Sequence, residues 1–205
     1  MYQLETYEWS NIWWEHAPDG EKPRILIVGD SITVGYRGHV IEALRERDMY
    51  ADAYSTSKSV DNPFYLEELD MVIRQSKRPY ALIHFNCGLH GFHLSAEEYA
   101  AYYETAVRHL RDLYPTTALA LVLSTPITVG DHPDQLAGAN SVVEVRNERV
   151  RALAAKYELP VNDLYTPMLG RPELRNMDGY HYNDGGCRYQ SRLVMEFLEG
   201  VLDAG

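Results

Sequence analysis

Cationic residues are scarce in this chain: 19 lysines and arginines stand against 30 aspartates and glutamates, a formal net charge of −11. A surface of that sign repels nucleic-acid phosphates and anionic lipid headgroups, so neither is expected as a partner and a neutral small molecule fits better. Long apolar runs are missing too. The longest, such as Ala118–Leu123, fall far short of the roughly 20 residues that a membrane span requires. Met1–Ser10 carries acids and aromatics where a secretory leader would carry a basic start and an apolar core, so the expected location is the cytoplasm. Two cysteines neither demand nor exclude an oxidising compartment. No Ser/Gly-rich or Pro-rich stretch is long enough to act as a linker. The expectation is one domain over residues 1–205, with 1–22 as an aromatic-rich N-terminal extension; a chain of this size buries about 70% of its unfolded surface.

What the chain does hold is a regular alternation of strand-like and helix-like segments. Arg24–Val28 is a short β-branched run that stops at Gly29, as a buried parallel strand does. Val40–Arg47 shows helical spacing, Asp52–Ser55 reads as a short strand, and Tyr65–Arg74 as a second helix closed by Lys77-Arg78-Pro79. Tyr80–Phe85 is the third strand. Ser95 with Glu98 forms a capping-box signature that opens a helix through Leu113, stopped by Pro115. Ala118–Ser124 is the fourth strand, Gly130–Gly138 a loop, Ser141–Tyr157 a helix, Leu159–Asn162 a last strand and Gly186–Leu202 a closing helix. Repeated βαβ units predict a three-layer α/β/α sandwich: a flavodoxin-like, doubly wound parallel sheet of about five strands. In such sheets chemistry gathers at the carboxyl ends of the strands.

The polar residues expected at those ends are Gly29-Asp30-Ser31 after the first strand, Ser55–Ser59 after the second and Asn86 after the third. Late in the chain, Asp178-Gly179-Tyr180-His181 sets a carboxylate and an imidazole three residues apart, just before the last helix. A serine hydroxyl is a weak nucleophile until a base removes its proton, and that base must itself be oriented. His181 suits the first task and Asp178 the second.

Gly29-Asp30-Ser31-Ile32 together with Asp178-x-x-His181 resembles the GDSL or SGNH hydrolase superfamily, across nearly the whole chain. The resemblance implies a serine-dependent carboxylic ester hydrolase with the triad Ser31, Asp178 and His181, working without metal or organic cofactor. It implies an oxyanion hole built from the N–H of Ser31, the amide of Asn86 and a backbone N–H from the second block, assigned to Ser59 with Ser57 as the alternative. The third block departs from the family's Gly-x-Asn-Asp, reading His84-Phe85-Asn86-Cys87. Asp30, His90 and Tyr180 are expected to face the substrate. With no apolar stretch to grip a long acyl tail, short acyl esters are favoured, in particular acetyl esters of carbohydrates. The alternatives are a lipase, lysophospholipase or thioesterase of the same fold, or a carbohydrate-binding module that kept the scaffold and lost turnover.

Other features have ordinary readings. His84, His90 and His93 lack a metal-binding spacing such as His-Glu-x-x-His, and His84 is expected in the sheet's packing. Tyr2, Tyr7, Trp9, Trp13 and Trp14 could form a sugar platform, but core packing or an interface is the commoner role for aromatics, and exposed tryptophans here favour a homodimer. Ser55-x-x-Lys58 matches the penicillin-binding pattern without its partner motifs. Cys87 and Cys187 both fall near the site edge; they are either a redox-coupled pair or inert buried thiols.

Overall fold

The computed structural model describes residues 3–4, 7–76 and 79–203. The strands and helices, in chain order, are β1 (Ser10–Trp13), β2 (Arg24–Gly29), α1 (Ser31–Arg45), β3 (Tyr50–Thr56), α2 (Tyr65–Gln75), β4 (Leu82–Phe85), α3 (Ala96–Leu113) and β5 (Ala118–Val122). They continue with β6 (Thr128–Val129), β7 (His132–Leu136), α4 (Asn140–Tyr157), β8 (Val161–Asn162) and α5 (Asp184–Leu202). The main sheet runs β1-β3-β2-β4-β5-β8. From β3 to β8 every pairing is parallel, the expected doubly wound order.

Two findings extend the sequence reading. The segment taken as an N-terminal extension supplies the sheet's edge: β1 lies antiparallel on β3, with Asn11 opposite Ser55 and Trp13 opposite Ala53. The stretch read as a loop at 130–138 is mostly the arm of a small hairpin, β6–β7. The first helix also starts earlier than its periodicity suggests. Gly35 and Gly38 depress helix propensity over its first half, and packing on the sheet overrides them.

Both faces of the sheet are covered, which is why its central strands are buried throughout and mostly apolar. Leu26, Val28, Ile83 and Phe85 pack against α2, α3 and α4 on one face. Ile25, Ile27, Leu82 and Val122 pack against α1 and α5 on the other. At the amino ends of the strands, Arg24 and Asp52 form a buried ion pair at 2.7 Å. The Asp52 carboxylate also accepts from Tyr80 Oη and the Glu15 N–H, so its charge is solvated by protein. The capping box at Ser95 and Glu98 forms as expected. Lys77 and Arg78 lie outside the described residues. Among the described residues no helix is long and apolar enough to cross a membrane.

Candidate active site

Ser31 is the first residue of α1, reached directly from the end of β2, where the strand order reverses direction. The turn works only because position 29 has no side chain. A Cβ on Gly29 would stand 2.0 Å from Thr33 Oγ1. Asp30 caps the helix by accepting from the Ile32 N–H at 2.9 Å. Ser31 therefore sits at a helix N-terminus, where first-turn N–H groups have no partner within the helix and the dipole favours negative charge.

His181 arrives from the other end of the chain. Its Nε2 is 2.8 Å from Ser31 Oγ, and its Nδ1 is 2.7 Å from Asp178 Oδ2. The other Asp178 oxygen accepts from the N–H groups of His181 at 2.8 Å and Tyr180 at 2.9 Å. Partial burial alone would raise the Asp178 carboxyl; these two N–H bonds and the imidazole overcome it and hold the group below the usual carboxylate range. An ionised carboxylate at this point fixes the imidazole with its Nδ1 protonated and Nε2 free to accept.

The loop that carries this pair turns at Gly179 and is supported by Thr128 and Arg175, which sequence reading missed. Gly179 adopts φ +84°, and a Cβ there would meet Thr128 O at 2.4 Å. Its carbonyl accepts from the Thr128 N–H at 2.9 Å, so the β6–β7 hairpin supports the loop. Buried Arg175 donates to Pro126 O at 2.7 Å and to Tyr182 Oη at 2.8 Å, closing it from below.

The expected oxyanion groups are less uniformly arranged. The Ser57 N–H donates to Trp9 O at 3.1 Å, so it is already engaged. Ser59 is buried, its hydroxyl bonded to Asp61, which in turn pairs with His93 at 3.0 Å. The Asn86 amide donates to Val122 O at 2.8 Å and Ser124 Oγ at 3.1 Å, so both its hydrogens are engaged at the end of β5. Buried Arg146 donates to Gly88 O at 2.9 Å, His90 O at 2.7 Å and Gly91 O at 2.6 Å, clamping the loop that follows Asn86.

A cleft of about 430 Å³ opens beside Ser31 and His181. Asn11 of β1 and Trp9, just before it, line the cleft together with Val34, Gly35 and Cys187, and Asn176, Tyr182 and Gln190 complete it. Asp30, His90 and Tyr180, expected against the substrate, do not line this cleft: Asp30 is buried beneath the helix start, the His90 carbonyl is held by Arg146, and Tyr180 is exposed beside it. Of the N-terminal aromatics, Trp14 packs against the core while Trp9 and Trp13 stay exposed; Tyr2 lies outside the described residues. His84 is buried and accepts at Nε2 from Asn162, and burial pushes it down to about 3, as befits a neutral core histidine.

The two thiols lie on opposite faces of the sheet, which argues against their coupling. Cys87 belongs to the α2–α3–α4 side, where burial pushes it up to about 12, and Cys187 packs on the α1–α5 side, also raised by burial. Among the described residues no group of three potential metal ligands converges.

A serine, imidazole and carboxylate in hydrogen-bonded sequence are the parts of an acyl-transfer site, and the family comparison agrees with that chemistry. Residues 27–189 match the model of the GDSL-like lipase/acylhydrolase family. The chain belongs to that family. Family membership makes it an ester-bond hydrolase, and the matched segment runs from inside β2 to the first part of α5, enclosing all three residues.

Solved structures share the family fold at low identity. A GDSL-like lipase from Bacteroides thetaiotaomicron is 15% identical with a TM-score of 0.69, over 90% of this chain and 92% of that one. Axe2, an acetylxylan esterase from Geobacillus stearothermophilus, is 15% identical with a TM-score of 0.68, over 87% and 95%. The acetyl xylan esterase AlAXEase is 20% identical with a TM-score of 0.66, over 84% and 98%. None of the curated proteins matches the sequence closely enough to name a relative.

Proposed function

We propose that the chain hydrolyses short-acyl, chiefly acetyl, esters of hydroxylated alcohols such as carbohydrates through an acyl-serine intermediate. The observation that carries this reading is the unbroken hydrogen-bonded line from Asp178 through His181 to Ser31, with Ser31 at a helix N-terminus.

Ser31 Oγ attacks the ester carbonyl carbon as its proton passes to His181 Nε2. The carbonyl oxygen becomes an oxyanion, stabilised by the N–H groups of Ser31 and Ser59. The Asn86 amide joins them by exchanging its 3.1 Å bond to Ser124 for the oxyanion. Collapse breaks the bond to the alcohol, which leaves with the proton held on His181. Water then gives a proton to His181 and attacks the acyl-serine, and as the acyl bond to Ser31 Oγ breaks, that proton passes from His181 to Oγ, releasing the carboxylic acid and restoring the serine hydroxyl.

A short acyl group is favoured because the chain holds no apolar stretch to grip a long acyl tail. The cleft beside Ser31 lies on the His181 side, where the alcohol must receive its proton. Similarity in fold to two acetylxylan esterases is consistent with an acetyl ester.

The test is hydrolysis of p-nitrophenyl acetate, butyrate and octanoate by the native protein and Ser31→Ala, with mass-spectrometric mapping of an organophosphate label. Acetate turned over fastest, background rates in the variant and label on Ser31 are the expected results. Octanoate preferred over acetate would point to a lipase or thioesterase, and identical rates for both proteins would end the serine mechanism.

A further inference from the structure

Gln190 is fully buried in α5, yet neither its amide nitrogen nor its amide oxygen has a hydrogen-bond partner. Buried amides are nearly always paired, since an unpaired one forfeits its bonds to water and receives nothing in return. The residue also lines the cleft beside Ser31 and His181. None of the residues that share this lining, the polar Ser31, Asn176, His181 and Tyr182 included, is hydrogen-bonded to its amide. An apolar residue would pack at this position without that cost.

The rest of the cleft sharpens the point. It includes Asn11, exposed on the edge strand, and Trp9, and among the described residues that line it there is no carboxylate, lysine or arginine. The alternation of β1 explains how an N-terminal segment reaches the site: Asn11 sits opposite Ser55, on the sheet face that α1 covers, and Trp9 shares its parity. The oxyanion residues Ser59 and Asn86 are not among the lining residues. This is therefore the side of Ser31 on which the alcohol leaves.

We infer that Gln190, with Asn11 and Trp9, forms an alcohol-side subsite that selects a neutral leaving group rich in hydroxyls. A carboxamide both donates and accepts, as a hydroxyl does, and a site built to pair a hydroxyl rejects an analogue that lacks one far more strongly than an apolar wall rejects an added one. The indole supplies a flat apolar face for a ring. This inference rests on the serine-esterase reading above and adds a substrate preference to it.

The experiment compares two acetyl esters of six-membered rings: a methyl xyloside carrying one acetyl group, which keeps free hydroxyls, and cyclohexyl acetate, which has none. The native protein is expected to show a kcat/KM at least tenfold higher on the xyloside, and Gln190→Met to lower that ratio roughly tenfold. The same variant should unfold at a higher temperature than the native protein, because it removes the unpaired amide. Asn11→Ala, on the exposed edge strand, is the second variant, should Gln190→Met not fold, and it too should lower the ratio. Equal kcat/KM of the native protein on both esters, or an unchanged ratio in the variants, overturns the inference. A wrong mechanism would show differently: p-nitrophenyl acetate would then be hydrolysed no faster by the native protein than by Ser31→Ala.

Discussion

His181 Nε2 lies 2.8 Å from Ser31 Oγ across 150 residues of sequence, and the orientation of that imidazole depends on Asp178 at 2.7 Å. Asp178→Asn keeps the side-chain volume and an oxygen for the backbone N–H groups, but its amide no longer enforces Nδ1 protonation on His181. A fall in kcat on the order of 10⁴ is expected, with KM for p-nitrophenyl acetate changed little. Steady-state kinetics would decide it; a kcat within tenfold of the native value would show that Asp178 is only a turn residue.

In the proposed mechanism Asn86 is the oxyanion donor whose bonds must change during the reaction. If one N–H moves from Ser124 to the substrate oxygen, Asn86→Ala lowers kcat by about 10² to 10³. Ser124→Ala, which removes the competing acceptor, should not lower kcat. A loss in Ser124→Ala as deep as that in Asn86→Ala would mean that Asn86 acts by holding the end of β5 in place.

Much of this site was legible in the sequence because its chemistry is local. Gly29-Asp30-Ser31 follows an unmistakable buried strand, and Asp178 and His181 share one turn whose bonds are made within three residues. What stayed hidden depends on contacts between distant segments. Ser10–Trp13 is an edge strand with one face in solvent, so it lacks the apolar run that marked β2. Gly130, Asp131 and Pro133 gave the β6–β7 hairpin the composition of a loop. Arg146 and Arg175 are buried against backbone carbonyls, a fate rare for arginine that no spacing announces. Gln190 reads in sequence as one polar residue on a helix, and its importance comes from the partners it does not have.

Arg146 offers a test of how far the loop after Asn86 is held from behind. Its guanidinium serves three carbonyls and lies over the rings of Phe92 and Tyr99 at 4.9 Å and 4.5 Å. Arg146→Ala strands those carbonyls and should cost about 3 kcal/mol or more in urea unfolding. Arg146→Lys, with fewer donors and no planar fork, should recover only part of it. A loss below about 0.5 kcal/mol in the alanine variant, the range of an ordinary surface change, would show that the loop is held by its other contacts.

Asp30 has one carboxylate oxygen on the Ile32 N–H and the other buried without a partner. Burial raises its pKa, with His90 and His181 opposing but not cancelling the shift. The folded state therefore keeps a proton that the unfolded chain releases earlier as pH rises. The resulting stability is fully present below the unfolded value and is lost as pH climbs through the higher folded one. Asp30→Asn preserves the cap and removes the titration. Its stability relative to the native protein should improve as pH rises above the ordinary carboxylate range, read as a growing gap between their urea midpoints. A gap of constant size over that rise would mean that the Asp30 carboxyl has the same pKa folded and unfolded.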